Sequence, residues 1–401
     1  MISIFKRRRP CKDKKTAESC FPPEIFHAII DELKDDTIAL KQISLVSKGL
    51  SPRTRVHLFS SANISSKADC DRLRKLITYS PGIAHYFTAL SFEFRSRTIA
   101  RSLPAKILNT LVNLSKLTLS LGDFSNLRPS VIFALAARSY KHLAFILVDF
   151  DSVSDICALT RNSASMKSMS IVAPRFFGTP VPCDHEGIVP SPTFLGINDG
   201  ESDAGVVLVS ILSPRECPIS LKRVENLVIL ISHTNPAFVQ QLNYFLIQIH
   251  AEQPLPSLDV THTTTVTPTE TLHISRVKTL MIDISKYNES DQPKSILSWW
   301  ITAFRATDAD AALEAVSLKI DVKDIPSLSG PDHGDLWKQM DDALRGIRSL
   351  RTLEIVFYNV PPEWPWNEAE AQIIEGFKMR EPRRGLVIEV TAFSSSPPLL
   401  M

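Results

Sequence analysis

The stretch "LSKLTLSLGDFSNLRPSVIFALAARSYKHLAFILVDFDSVSDICALTRNSASMKSMSI", residues 114–171, decides the fold, because one short apolar signature returns in it three times. Apolar side chains stand at a first, fourth and sixth position: Leu114, Leu117, Leu119; Tyr140, Leu143, Phe145; Met166, Met169, Ile171. These pieces read as strands. Between them "PSVIFALAARS" and "SDICALTRN" read as helices. One strand and one helix per unit argue for parallel strands joined by crossover helices.

Working outward, the signature appears upstream at Phe87, Leu90, Phe92. It returns downstream at Val224, Leu227, Ile229; Leu255, Leu258, Val260; Val277, Leu280, Ile282; Leu313, Val316, Leu318; and Leu350, Leu353, Ile355. The central residues of the first four units are spaced by 27, 26 and 26, within the range of leucine-rich repeats, and later spacings stretch to 36 and 37. The repeat is therefore degenerate, and the asparagine that usually follows the strand in such repeats is missing at most positions. Further helical pieces are "DRLRKLITY", "PAKILNTLVNL", "PAFVQQLNYFLIQIH", "KSILSWWITAFRA", "DLWKQMDDALRGI" and "NEAEAQIIEGFKMR". Each unit has one apolar face that only its neighbours can cover, so the expected architecture is an α/β solenoid, a horseshoe with strands on one surface and helices on the other. A doubly wound single sheet is the structural competitor. Two segments rich in Pro, Thr and turn residues, 174–203 and 252–270, read as loops.

Ahead of the repeats lies "FPPEIFHAIIDELKDDTIALKQISLVSKGLSPRTRVHLF", residues 21–59. Pro22 and Pro23 suit the entry of a helix and Glu24 its positive end. Ile25, Ile29 and Leu33 recur at spacing four, with Phe26 and Ile30 on an adjoining row. Asp36 is placed to cap a second helix carrying Ile38, Ala39, Leu40, Ile43, Leu45 and Val46. Ser51 and Pro52 read as the cap and first-turn proline of a third helix running through Phe59. A unit of about 40 residues is at the lower limit for folding alone, so something else must cover these aliphatic side chains.

The order "FPPEIFHAIIDEL", "ALKQISLVSKGL", "SPRTRVHLF" resembles the F-box of fungal F-box proteins. That family opens on Leu-Pro-x-Glu, carries an Ile or Leu face on its first helix and leaves through R-x-x-LF. Phe21 stands where the family usually has Leu, and Leu50 where it often has Trp. The resemblance implies a short three-helix F-box that docks a Skp-type adaptor and, through it, a cullin-RING ubiquitin ligase. On the matching positions it implies contact through Phe21, Pro22, Pro23, Ile25, Ile29, Ile30 and Leu33, with Leu40, Ile43, Val46 and Leu50 closing or extending the surface. A repeat domain behind an F-box implies recruitment of a protein substrate.

Composition narrows the remaining possibilities. With 44% hydrophobic and 22% charged residues in 401, the chain has the makeup of an ordinary globular protein. A net charge of +2 gives no global pull toward nucleic acid or anionic membrane. The six cysteines are scattered without a C-x-x-C pair, which points to a reducing interior, cytoplasm or nucleus. No apolar run is long enough to span a bilayer, and "MISIFKRRRP" reverses the order of a signal peptide. The tail "KRRRPCKDKK" reads as solvated and resembles a nuclear localisation signal.

Signatures of hydrolase elbows, phosphate loops, dinucleotide sites and zincins are absent from the sequence. No catalytic residue, cofactor or metal site is therefore expected, Cys183, His185 and Glu186 in "CDHE" being too close in sequence to converge on a metal without distant partners. Trp299 and Trp300 read as core, and Trp364 and Trp366 as packing against the last strand. The expected organisation is a basic disordered tail over 1–20, an F-box-like module over 21–64, a repeat domain over 65–393 and a short tail over 394–401. The expected function is substrate recognition for a ubiquitin ligase. The alternative is a non-ubiquitin scaffold or nuclear regulator in which the helices cap the solenoid's end.

Overall fold

A computed structural model describes residues 22–177, 189–198, 219–231, 236–249, 253–262, 268, 270–284, 292–321, 334–359, 371 and 387–393. Both terminal tails, Phe21, the "CDHE" group, His250, Trp364 and Trp366 lie outside them, as does the helix expected over 367–380 apart from residue 371.

Three short helices come first: α1 (Pro23–Glu32), α2 (Thr37–Val46) and α3 (Ser51–Leu58). Asp36 caps α2, its carboxylate accepting the N–H of Ile38 at 3.0 Å and of Ala39 at 2.9 Å. This satisfies donors that have no partner within the helix. Ser51 differs from expectation: it is the first helical residue, Leu50 holds the cap position, and the helix ends at Leu58.

The chain then builds a sheet of thirteen strands among the described residues. These are β1 (Ser61–Ile64), β2 (Ala89–Glu93), β3 (Lys116–Asp123), β4 (His142–Phe150), β5 (Ser168–Val172), β6 (Arg175–Phe176) and β7 (Phe194–Asn198). They continue with β8 (Asn226–Ile231), β9 (Leu255–His262), β10 (Val277–Asp283), β11 (Ala315–Asp321), β12 (Thr352–Tyr358) and β13 (Val387–Ala392). All pairings are parallel and the spatial order follows the chain order, β6 alone standing off the path as an extension beside β4. A doubly wound sheet needs a reversal of strand order, and this order has none. Helices α4 (Lys67–Tyr79), α5 (Arg97–Ala100), α6 (Ala105–Thr110), α7 (Pro129–Ala136) and α8 (Val153–Thr160) serve the first crossovers. Later ones use α9 (Pro236–Ile249), α10 (Gln292–Arg305) and α11 (Gly334–Arg345).

The apolar signature is the register of this sheet. Ala62, Leu90, Leu117, Leu143, Met169 and Leu195 are successive Cα partners across β1 to β7. The row runs on through Leu227, Leu258, Leu280, Val316, Leu353 and Ile388. One face of the sheet is thus aliphatic along its whole width. It packs against Leu73 and Ile77 of α4, Ile107 and Leu108 of α6, Val131 and Leu135 of α7 and their counterparts in one continuous core. Burial alternates along the strands, as in Ser168–Val172, whose second and fourth residues are buried and the others half-buried. Parallel sheets are usually covered on both faces. Along β2 and β5 the residues of the other face are half-buried.

Two expected loops contain strands. Residues 174–203 include β6 and β7, and 252–270 include β9, so neither is irregular throughout. The signature is concealed at β7 because Pro192, itself buried, takes its first position. At β1 it is concealed because the small Ala62 takes the centre, although Phe59 occupies the first position and packs edge-on against Phe87 at 6.2 Å.

Leu121, Leu147 and Ala173 occupy the same place in three successive units and share a left-handed backbone, with φ of 54°, 54° and 45°. A positive φ is costly for a residue with a β-carbon. Its repetition marks a common bend, beyond which the ladder resumes at Gly122 and Val148. Gly122 is required by close approach, since a β-carbon there would lie 2.6 Å from the Phe94 carbonyl oxygen.

Trp299 and Trp300 are buried, as the sequence suggested. The Trp300 indole N–H donates to Nε2 of buried His262 at 3.0 Å, so this imidazole is neutral, and burial pushes its pKa down to about 3. Cys70 is a buried free thiol. Cys157 on α8 is disulfide-bonded, which the scattered cysteine spacing did not suggest.

Candidate protein-binding surface

Helices α1 and α3 are joined by a compact polar tie. Asp31 on α1 accepts from Arg53 of α3, from Nε at 2.7 Å and from one terminal guanidinium nitrogen, and lies 2.8 Å from Nε2 of His57. The Arg53 and His57 hydrogen bonds hold the Asp31 carboxyl well below the usual carboxylate range, and the same pairing raises Arg53. Thr54, fully buried, satisfies its hydroxyl on the Ser51 carbonyl at 3.0 Å. The module continues directly into the sheet, the Ser60 carbonyl accepting from the N–H of Thr88 at 2.8 Å and of Ala89 at 3.0 Å.

The sequence-derived contact set divides. Pro22, Pro23, Ile25, Ile29 and Val46 are exposed, while Leu33, Ile43 and Leu50 are half-buried. Ile30 and Leu40 are 2% and 0% exposed, so they are the module's own core and not part of an outward surface. The physical reason is helix packing: α1 and α2 each turn one row of their broad apolar circumference inward. Sequence reasoning left out Ile38 and Leu45, which are 69% and 86% exposed, and Val56 at the edge of exposure on α3. The signal for them was present in α2, whose apolar residues outnumber what one buried row can hold.

The outcome is an outward aliphatic set, Ile25 and Ile29 on α1 with Ile38, Leu45 and Val46 on α2, with α1 fixed to α3 by the Asp31 tie. Each such side chain gains roughly 1.5–3 kcal/mol when fully buried. Contiguous exposed apolar patches mark protein-interaction sites, and exposed aliphatic side chains on each helix are the material for one. It offers no acid, base or nucleophile to a substrate.

Other chemistry is sparse among the described residues. No group of three or more His, Cys, Asp or Glu side chains is placed to hold a metal ion. No helix there is long and apolar enough to cross a membrane. A cavity of about 130 Å³ lies against α9 and the starts of β9 and β10, lined by Leu246, Ile247, Leu255, His273, Arg276 and Val277. Small-molecule sites usually enclose roughly 300–1,000 Å³.

No protein-family model matches the chain, and no curated protein matches it.

Proposed function

We propose that this protein is an F-box-type substrate-recognition adaptor of a cullin-RING (SCF-type) ubiquitin ligase. It docks a Skp-type adaptor through α1 and α2 and recruits a target protein through the sheet domain, which we read as a leucine-rich-repeat-like solenoid. The outward set Ile25, Ile29, Ile38, Leu45 and Val46 carries this reading, since five aliphatic side chains stand exposed on two short consecutive helices. The unreversed strand order and the continuous aliphatic row support the solenoid. Its part in ubiquitin transfer is proximity: it raises the local concentration of a target near the ligase and makes or breaks no bond itself. Cytoplasm or nucleus, where such ligases act, is the compartment this function requires.

The test is capture of a Skp-type adaptor from cell extract by the full chain and by an Ile29→Asp, Leu45→Asp double variant. Both positions point outward, so the variant keeps its fold by circular dichroism and its urea midpoint. Loss of capture is expected; retained capture would end the proposal. A second reading, in which the helices close the end of the solenoid within a scaffold or nuclear regulator, is favoured by the direct joint at Ser60 and Phe59. Under that reading the outward set is idle, and the double substitution alters neither capture nor solubility.

A further inference from the structure

The sheet ends at β1, the first strand in the spatial order, so one edge of this strand meets no further strand among the described residues. The ladder fixes where its backbone groups point. The Ser60 carbonyl accepts from the N–H of Ala89, and Ser61 and Asn63 are the Cα partners of Ala89 and Ser91. Along a parallel ladder alternate residues turn both backbone groups to the same side, so Ala62 turns toward β2 while Ser61 and Asn63 turn away from it. Among the described residues no hydrogen bond reaches the outward N–H or carbonyl of Ser61 or Asn63. Both residues are exposed, whereas Ala62 and Ile64 are 9% and 1% exposed and face the core. The helical module joins the sheet toward the other side of the strand, with Ser60 bonded to Thr88 and Ala89, Phe59 against Phe87, and α3 against the turn over 81–86. Exposed edges are commonly blunted by Lys, Pro or an inward-pointing charge, and β1 carries none of these. Its length of four residues is what limits pairing.

We infer that two copies of this chain pair edge to edge through β1, antiparallel and about a two-fold axis at Asn63, so that their sheets join into one. The sequence of the strand points to a second copy as the partner. "SANIS", residues 61–65, has the same order of residue classes from either end: Ser, apolar, Asn, apolar, Ser. A two-fold interface needs a self-complementary surface, and this register supplies one. Asn63 stands opposite Asn63 of the other copy as a hydrogen-bonded pair, which exchanges both backbone bonds. Ala62 stands opposite Ile64 of the other copy, a small side chain against a large one on the core side of both sheets. Ser61 stands opposite Ser65, whose N–H is taken by the Asp69 carboxylate at 3.3 Å, so the pairing ends there. No charged side chain lies on the strand, and none is therefore set against its like across the axis. Because antiparallel strands start at opposite ends, the two helical modules stand at opposite ends of the joint. The inference uses the sheet edge alone and is independent of the ligase reading.

The experiment is sedimentation velocity on the full chain at low salt, from about 1 to about 200 µM, the range in which small interfaces associate. A dimer fraction that rises with concentration and reverses on dilution is expected. Asn63→Lys and Asn63→Glu each set like charges directly opposite one another and should weaken self-association by about tenfold or more, whereas an equimolar mixture of the two should return to within about threefold of the parent. Asn63 is exposed, so both variants should keep the parent's circular dichroism spectrum. Asn63→Pro removes the outward N–H, leaves the bonds to β2 in place, and should also be monomeric. A chain that stays monomeric at every concentration would overturn the inference and leave the edge to a different protein. A dimer that survives both charge variants would overturn it as well, by placing the interface elsewhere. So would a mixture that associates no better than its components, since Asn63 would then not face itself across the axis.

Discussion

The helical module and the sheet spend their aliphatic residues in opposite ways. In the sheet, the second and fourth strand residues face inward in every unit from β1 to β5, and their register partners continue across the whole width. In the module, Ile30 and Leu40 alone among the large aliphatics are fully buried, while Leu45 is 86% and Val46 79% exposed. A repeat can add neighbours until every apolar face is covered. A three-helix unit has too little interior to do so. The same residue types are therefore buried for stability in one region and left exposed in the other.

The largest expected effect breaks this contrast at its sheet end. Phe145 is fully buried, packed edge-on against Phe150 at 5.2 Å, and Phe145→Ala should cost about 3–5 kcal/mol of unfolding free energy. Leu45→Ala removes a side chain of nearly the same chemistry and should leave stability within about 0.5 kcal/mol. Urea unfolding of both variants measures the difference. Similar losses would mean that Leu45 is covered in solution by the chain itself.

A second effect is read by pH. His262 is neutral in the folded protein, with its pKa pushed down to about 3, and recovers an ordinary value near 6.5 on unfolding. Between these values the unfolded chain binds the additional proton, so stability is complete above about pH 6.5 and falls as pH drops toward 3. By pH 5 the loss should reach about 2 kcal/mol. His142, also lowered, contributes in the same direction. The difference between the parent and His262→Gln isolates the buried group, because glutamine keeps an acceptor for the Trp300 N–H. A parent and variant with the same slope of urea midpoint against pH would place water at His262.

What the sequence disclosed follows the same division. The strand centres were legible because a residue that must face the core in every unit leaves a period, and the period survives changes in crossover length from 22 residues between Leu258 and Leu280 to 37 between Val316 and Leu353. Units were missed where the period lost a large apolar residue: Pro192 ahead of β7, Ala62 in β1 and Gly385 ahead of β13. The left-handed bend at Leu121, Leu147 and Ala173 had no signal, since none of these residues favours that backbone. On the module, periodicity supplied two apolar rows per helix and no means of choosing between them. Only the packing of α1 and α2 against α3 assigned Ile30 and Leu40 to the interior and freed Ile38 and Leu45.

The smallest effect concerns what holds the outward set in place. Asp31 joins α1 to Arg53 and His57 of α3, and its carboxyl is held ionised by those hydrogen bonds. Asp31→Asn keeps the size of the side chain and loses the charge that both partners answer. The tie is solvent-accessible, so its removal should scarcely move the unfolding of the sheet. It should instead let α1 shift against α3, blurring the alignment of Ile25 and Ile29 with the α2 residues. Hydrogen exchange is expected to quicken in residues 23–32 and stay unchanged in β3 to β5, with adaptor capture reduced and not abolished. The tie also sets an acid limit for the module. Because the folded pKa of Asp31 lies below its unfolded value near 3.8, the contribution is complete above that pH and is lost only as pH falls through the folded value. The module should therefore loosen at a lower pH than the one at which His262 begins to weaken the sheet. Exchange in α1 that quickened already between pH 6 and 5 would show that Asp31 does not govern its docking.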